Sequence, residues 1–205
     1  MKKIMLMLSV ILTTLAFFAS RSHAAPQAAS IVIIGDSIIH NARGFYPNGI
    51  VNAHNGRGSV IAGYGTPDWY VEGWGDYGTG LEAVTQFAPS IPVDGWLVME
   101  IGTNDIVSAV SIEDYKAFVL TTVEMLPDDR CLAWVIPWVG GDYQTVTDAV
   151  VQVLRDIVPQ QPCHQLIEWG SVVSAASTTL TTDGVHPNET GAAVLASMIY
   201  TTTNN

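Results

Sequence analysis

Five short, nearly unbroken apolar runs constrain this chain more than any other feature. They cover residues 30–34, 50–53, 95–101, 131–138 and 165–169. A strand with one wet face alternates apolar and polar residues, whereas an unbroken run suits a strand covered on both faces. Between and after the runs lie helical patterns. Residues 111–126 open with Ser-Ile-Glu-Asp, so Ser111 is a good N-cap with acids beside the positive end of the helix dipole. Tyr115, Phe118, Val119 and Val123 then recur at helical spacing, as do Val146, Ala149, Val150, Val153 and Ile157 in residues 145–158. A last helix follows Pro187, a favoured first-turn residue, and runs through Ala193, Leu195 and Met198. Strands alternating with helices imply βαβ units and a parallel sheet, hence an α/β chain folded as a three-layer α/β/α sandwich. Residues 58–79, rich in glycine and aromatics, read as an elaborated loop.

The N-terminus is read apart from this fold. Lys2 and Lys3 precede a 15-residue apolar run, residues 4–18, and Ser22-His23-Ala24 ends in small side chains. That pattern is expected of a signal peptide spanning residues 1–24, which makes the mature protein secreted or periplasmic. Fifteen residues fall short of the roughly 20 that span a bilayer, so no stable membrane anchor is expected. The remaining 25–205 contain no linker or repeat and are expected to form one domain, working as a monomer. Removing residues 1–24 leaves five basic and nineteen acidic residues, a formal charge of −14 against −11 for the whole chain. Such acidity excludes a nucleic-acid partner, which needs a basic patch. Hydrophobic residues at 48% and charged ones at 13% exclude a disordered chain.

Cys131 and Cys163 are the only cysteines. In an exported protein they can form a disulfide, the alternative being two buried thiols. Neither sits in a Cys/His constellation, and the absence of HxxxH and CxxC spacings argues against a zinc site, so no metal is expected.

In a parallel sheet of this kind, ligands bind outside the carboxyl ends of the strands. Four segments qualify. Gly35-Asp36-Ser37 follows the first run and exposes a serine at a strand-to-helix turn. His54-Asn55-Gly56-Arg57-Gly58 follows the second, and its glycines let a backbone N–H approach a ligand closely. Gly102-Thr103-Asn104-Asp105 follows the third, where the Asn104 amide can act as a donor. Asp183-Gly184-Val185-His186 lies between the last run and the last helix. A carboxylate three residues before a histidine can hold Nδ1–H and leave Nε2 free to take a proton from a serine. Each segment alone has an ordinary structural explanation: a cap, a loop, a turn, a surface pair. Together they supply a nucleophile, oxyanion donors and a base with its orienter. His23 leaves with the signal peptide, and His40, His54 and His164 lack such a carboxylate partner, which makes His186 the candidate base.

On Gly35-Asp36-Ser37, residues 102–105 (Gly-Thr-Asn-Asp) and residues 183–186 (Asp-Gly-Val-His), the chain resembles the SGNH (GDSL-type) hydrolases over essentially its whole mature length. The resemblance implies a five-stranded, flavodoxin-like parallel sheet. It further implies a Ser37, Asp183 and His186 triad, with an oxyanion hole from the Ser37 N–H, a glycine N–H and the Asn104 side chain. Gly56 is the glycine chosen, with Gly58, Gly63 and Gly65 also open. Ile38 replaces the leucine of the family's name. The implied activity is hydrolysis of carboxylic esters, acyl or acetyl, on small-molecule, carbohydrate or lipid substrates, without a cofactor. Trp69 and Trp74, among the glycines after the second block, either line a substrate pocket or plug the loop onto the core. Two other functions remain compatible with the fold. One is an O-acyltransferase acting on cell-wall or polysaccharide hydroxyls. The other is a non-catalytic carbohydrate-binding module, against which the intact Ser37, Asn104, Asp183 and His186 argue.

Overall fold

A computed structural model describes residues 31–42, 59–62 and 80–203. The expected signal peptide, the 50–53 run, Gly56, Gly58, Gly63, Gly65, Trp69 and Trp74 lie outside the described residues. The elements in chain order begin with β1 (Ile31–Gly35), α1 (Ser37–Ala42), β2 (Ser59–Ala62), α2 (Gly80–Phe87) and β3 (Trp96–Glu100). Next come α3 (Thr103–Val107), α4 (Ile112–Met125), β4 (Cys131–Val135) and α5 (Gln144–Ile157). β5 (Gln165–Ile167), α6 (Trp169–Leu180) and α7 (Glu189–Thr203) complete the chain. The strands form one five-stranded sheet in the order β2-β1-β3-β4-β5, every pairing parallel. This is the expected three-layer α/β/α sandwich with a flavodoxin-like strand order.

The strand sequences explain the layers. Ile31, Ile33, Trp96, Val98, Ala133 and Val135 point to one core, shared with Ile38, Trp169, Val173, Leu195 and Ile199. The alternate residues Val32, Ile34, Leu97, Met99, Leu132 and Trp134 point to the other, shared with Phe118, Val119, Val150 and Leu154. Period-2 side chains with two dry faces demand an unbroken apolar run, the pattern read from the sequence. Among the described residues, no helix is long and apolar enough to cross a membrane.

Three expectations need correction. The second strand is Ser59–Ala62, inside the stretch read as loop, and it pairs with β1 in the register Gly35↔Ala62. An edge strand needs only one partner, so four residues suffice, and apolar length cannot separate them from residues 50–53. Gly56 therefore precedes β2, and Gly63 is the glycine that directly follows it. The other two corrections concern α6, a helix the sequence pattern does not predict. Its Ser- and Thr-rich sequence has little helical preference, and Ala176 breaks the regular φ/ψ at −146° and 32°. Burial of Trp169, Val173 and Leu180 overrides that preference. In consequence the 183–186 loop joins two helices, α6 and α7, rather than following a strand directly.

Candidate active site

The strand order reverses between β1 and β3, and both strands end there with a motif. Gly35 lies opposite Glu100 across the two strands, and the Asp36 N–H donates to the Glu100 backbone carbonyl at 3.1 Å. Ser37 follows at once as the first residue of α1, half-buried. A helix's first N–H groups have no intrahelical acceptor, so the serine hydroxyl and its own N–H emerge together at the switch point.

At the end of β3 the chain turns through Gly102, whose φ is +140°. A Cβ there would lie 2.8 Å from the Tyr115 hydroxyl and 2.9 Å from Pro137, so both conformation and space require glycine. Tyr115 and Trp134 fix the strand end by donating to the Ile101 carbonyl at 3.2 and 3.0 Å. Asn104 then sits in the short helix α3, 9% exposed. Its Nδ2 donates to Asp36 Oδ2 at 3.0 Å, while Asp36 Oδ1 accepts from the Ile38 N–H at 3.0 Å. A carboxylate can only accept, so this contact fixes which end of the amide is nitrogen. Among the described residues no acceptor engages the second Nδ2 hydrogen.

The α6–α7 loop supplies the third part. An isolated bridge from Thr181 to Pro187 closes it, with Thr182 N–H donating to the His186 carbonyl at 2.8 Å. Asn188 caps α7 by accepting from the Gly191 N–H at 3.0 Å. Within the loop, Asp183 Oδ1 accepts from the Val185 and His186 N–H groups at 3.0 and 2.8 Å. Asp183 Oδ2 meets His186 Nδ1 at 2.7 Å, and His186 Nε2 meets Ser37 Oγ at 3.0 Å. Partial burial pushes the Asp183 carboxyl up, but these bonds from His186 and Val185 outweigh it and hold the pKa at about 2. The carboxylate is therefore ionised at neutral pH, which sets Nδ1 as the protonated ring nitrogen and leaves Nε2 as an acceptor toward the serine. Ser37, His186 and Asp183 thus form one continuous hydrogen-bonded chain, with Asn104 held beside it through Asp36.

In the sequence Asp36 reads only as a possible cap, and Glu100 belongs to no motif. An acid inside the apolar 95–101 run was the signal available. Cys131 and Cys163 are joined by a disulfide at the opposite, amino-terminal end of the strands. A cavity of about 460 Å³ lies at that end, lined by Val123, Asp128 and His164 among others, far along the strands from Ser37. Among the described residues, no three His, Cys, Asp or Glu side chains converge to hold a metal ion.

The chain matches no family model and no curated protein. Solved structures do share its fold. It is similar to the C-terminal catalytic domain of Streptococcus pneumoniae peptidoglycan O-acetyltransferase A, with 21% identity and a TM-score of 0.63, over 85% of this chain and 92% of that one. It is similar to a lipolytic protein of the G-D-S-L family from Veillonella parvula, with 17% identity and a TM-score of 0.58, over 82% and 94% of the two chains. A carbohydrate esterase family 3 structure from Talaromyces cellulolyticus aligns at 14% identity and a TM-score of 0.55, over 84% and 95%.

Proposed function

We propose that this chain is an exported SGNH-type serine esterase that hydrolyses carboxylic esters through an acyl-enzyme. The observation that carries the reading is the unbroken chain from Ser37 Oγ through His186 to Asp183, at 3.0 and 2.7 Å. In the first half-reaction His186 Nε2 takes the Ser37 proton as Oγ attacks the ester carbonyl. Asp183 stabilises the imidazolium that forms. The developing oxyanion is met by the Ser37 N–H, by the free hydrogen of Asn104 Nδ2, and by a backbone N–H from the glycine-rich segment flanking β2. Each such donor is worth about 10²–10³ in rate. His186 then protonates the departing alcohol. In the second half-reaction it deprotonates a water, which attacks the acyl-serine, and it then returns that proton to Ser37 Oγ as the acid departs. Export rests on the expected signal peptide.

The test is hydrolysis of aryl esters of increasing acyl length by the mature protein and by Ser37→Ala. The expected result is a rate reduced at least about 10³-fold by the substitution. Equal rates would remove the reading. A second reading, acyl transfer to a sugar hydroxyl, draws on the likeness to the pneumococcal O-acetyltransferase domain. It differs only in the group that resolves the acyl-enzyme. Sugar acceptors added to the same assay decide between them: acylated sugar in place of free acid would mark a transferase.

A further inference from the structure

Two acids lie directly behind Ser37, and the proposed chemistry uses neither as a reacting group. Asp36 is 1% exposed and Glu100 0%. They are neighbours because β1 and β3 pair at Gly35 and Glu100, with the Asp36 N–H on the Glu100 carbonyl. Gly35 permits this crowding: a Cβ there would fall 2.3 Å from Ile39 and 3.4 Å from the Glu100 Cβ.

The two carboxyls differ in their partners. Both Asp36 oxygens are engaged, Oδ1 by the Ile38 N–H and Oδ2 by Asn104. Neither Glu100 oxygen has a donor in hydrogen-bonding geometry among the described residues. An ionised carboxylate buried without a donor costs several kcal/mol. Two ionised carboxylates side by side add repulsion, and since both only accept, no hydrogen bond can relieve it. A single proton on Glu100 removes the charge, ends the repulsion and turns Glu100 into a donor.

We propose that Glu100 holds a proton at neutral pH and donates it to the Asp36 carboxylate, so that the pair is a singly charged clamp orienting the Asn104 amide. Glu100 is then a positioning residue, acting on the oxyanion donor through Asp36. Its surroundings agree in direction. Burial first and the Asp36 charge second push the Glu100 pKa well above the ordinary carboxylate range, against a weaker pull from the Asp36 and Ile39 N–H groups. Burial also raises Asp36, to about 6, but the Ile38 N–H, the Glu100 bond, the positive charge His186 can carry and Asn104 restrain it. Among the described residues the remaining titratable neighbours are Asp105 and Tyr115. Burial first, and then the Asp105 charge, push the Tyr115 hydroxyl pKa up and keep it neutral.

Only the kinetic arm of the test rests on the esterase reading. The first arm is infrared spectroscopy of the full mature chain at pH 8. The expected result is a protonated-carboxyl C=O band in the wild type that disappears in Glu100→Gln. Its absence from the wild type, or its persistence in the variant, would overturn the proposal even in a protein without esterase activity. The second arm compares variants. Glu100→Gln keeps a neutral donor and should rescue kcat/KM to within about threefold, with the acid limb of the pH profile unmoved. Glu100→Leu removes the donor and should lower kcat at least about tenfold at constant KM, with the acid limb moved to higher pH as Asp36 loses its bond. A Glu100→Gln variant whose acid limb falls to lower pH would show that Glu100 had carried a charge, and would refute the proposal. If Glu100→Leu does not fold, the glutamine variant and the infrared band decide.

Discussion

Replacing Asp183 by asparagine asks how much of the proposed relay is charge. The carboxylate accepts three hydrogen bonds, from His186 Nδ1 at 2.7 Å, the His186 N–H at 2.8 Å and the Val185 N–H at 3.0 Å. Its side chain is 53% exposed and that of His186 33%. Water therefore reaches the pair, and its attraction lies between the solvent and near-surface limits. Those limits are about 1 and about 4 kcal/mol for unit charges 4 Å apart. In the proposed mechanism an imidazolium forms as Ser37 gives up its proton, so this attraction counts toward the transition state. Discounted for screening, about 1.5–3 kcal/mol should be lost, which is about 10- to 150-fold in kcat/KM. A buried triad aspartate costs far more, about 10⁴-fold, when made asparagine. The assay is kcat/KM on an aryl acetate at low and high salt, with circular dichroism to show that the loop variant folds. Salt should narrow the gap between wild type and Asp183→Asn, because an exposed pair is screened. A loss above about 10³-fold, or one insensitive to salt, would refute the argument from exposure. The depressed pKa gives the pH sense. Asp183 contributes stability that is complete above its unfolded value near 4, and that contribution fades as pH falls through about 2. Esterase activity lost between pH 7 and 5 is therefore not due to Asp183.

Asp36 has the opposite sign. Its folded pKa, near 6, lies above the unfolded value of 3.8, so the native state binds the proton more tightly and stability falls as pH rises between about 4 and 6. Thermal midpoints of Asp36→Asn should show a shallower fall than wild type over that interval; parallel curves would contradict the assignment. Replacing Cys131 and Cys163 by serine opens a loop with a sequence separation of 32. The chain-entropy model puts the loss at about 3–4 kcal/mol in urea unfolding, with kcat/KM at 25 °C unchanged because the bridge lies at the far end of the strands. An unchanged unfolding midpoint would show that the bridge does not constrain the unfolded chain. Trp74→Ala distinguishes pocket from plug: a raised KM at constant thermal midpoint supports a substrate-lining loop, whereas lost stability with unchanged kinetics excludes it.

What could be read from the sequence divides along physical lines. β1, β3 and β4 were legible because a strand buried on both faces must be apolar at every position, and residues 31–34, 96–99 and 132–135 are. α4 was legible for a local reason: Ser111 accepts from the Asp114 N–H at 3.1 Å, the cap its position predicted. β2 was misplaced because an edge strand carries no such unbroken signature, and 50–53 and 59–62 are equally apolar. α6 was missed because it forms against its own preferences. Its helicity comes from Trp169 and Val173 packing under the sheet, a tertiary contact that no local window contains.

The site divides in the same way. Ser37, Asn104, Asp183 and His186 were named from short segments because each segment makes its own geometry: a strand-to-helix turn, a positive-φ glycine, a carboxylate three residues before a histidine. What the segments could not show is how Asn104 is held, since that depends on residues 36 and 104 meeting across two strands. Yet one residue advertised the arrangement. Of the two carboxylates within the apolar runs, Glu168 is exposed and Glu100 buried, and a parallel strand covered on both faces gives a charge no route to water. Such an acid must find a donor, a cation or a proton. No cation stands among the charges that bear most on its carboxyl, and no donor reaches it in hydrogen-bonding geometry among the described residues. Among the described residues that leaves the proton, in line with the protonated Glu100 proposed above. An acid at the last position of a buried strand, one residue before the turn that carries the proposed oxyanion donor, is therefore better read as part of the site's support than as an error in the core.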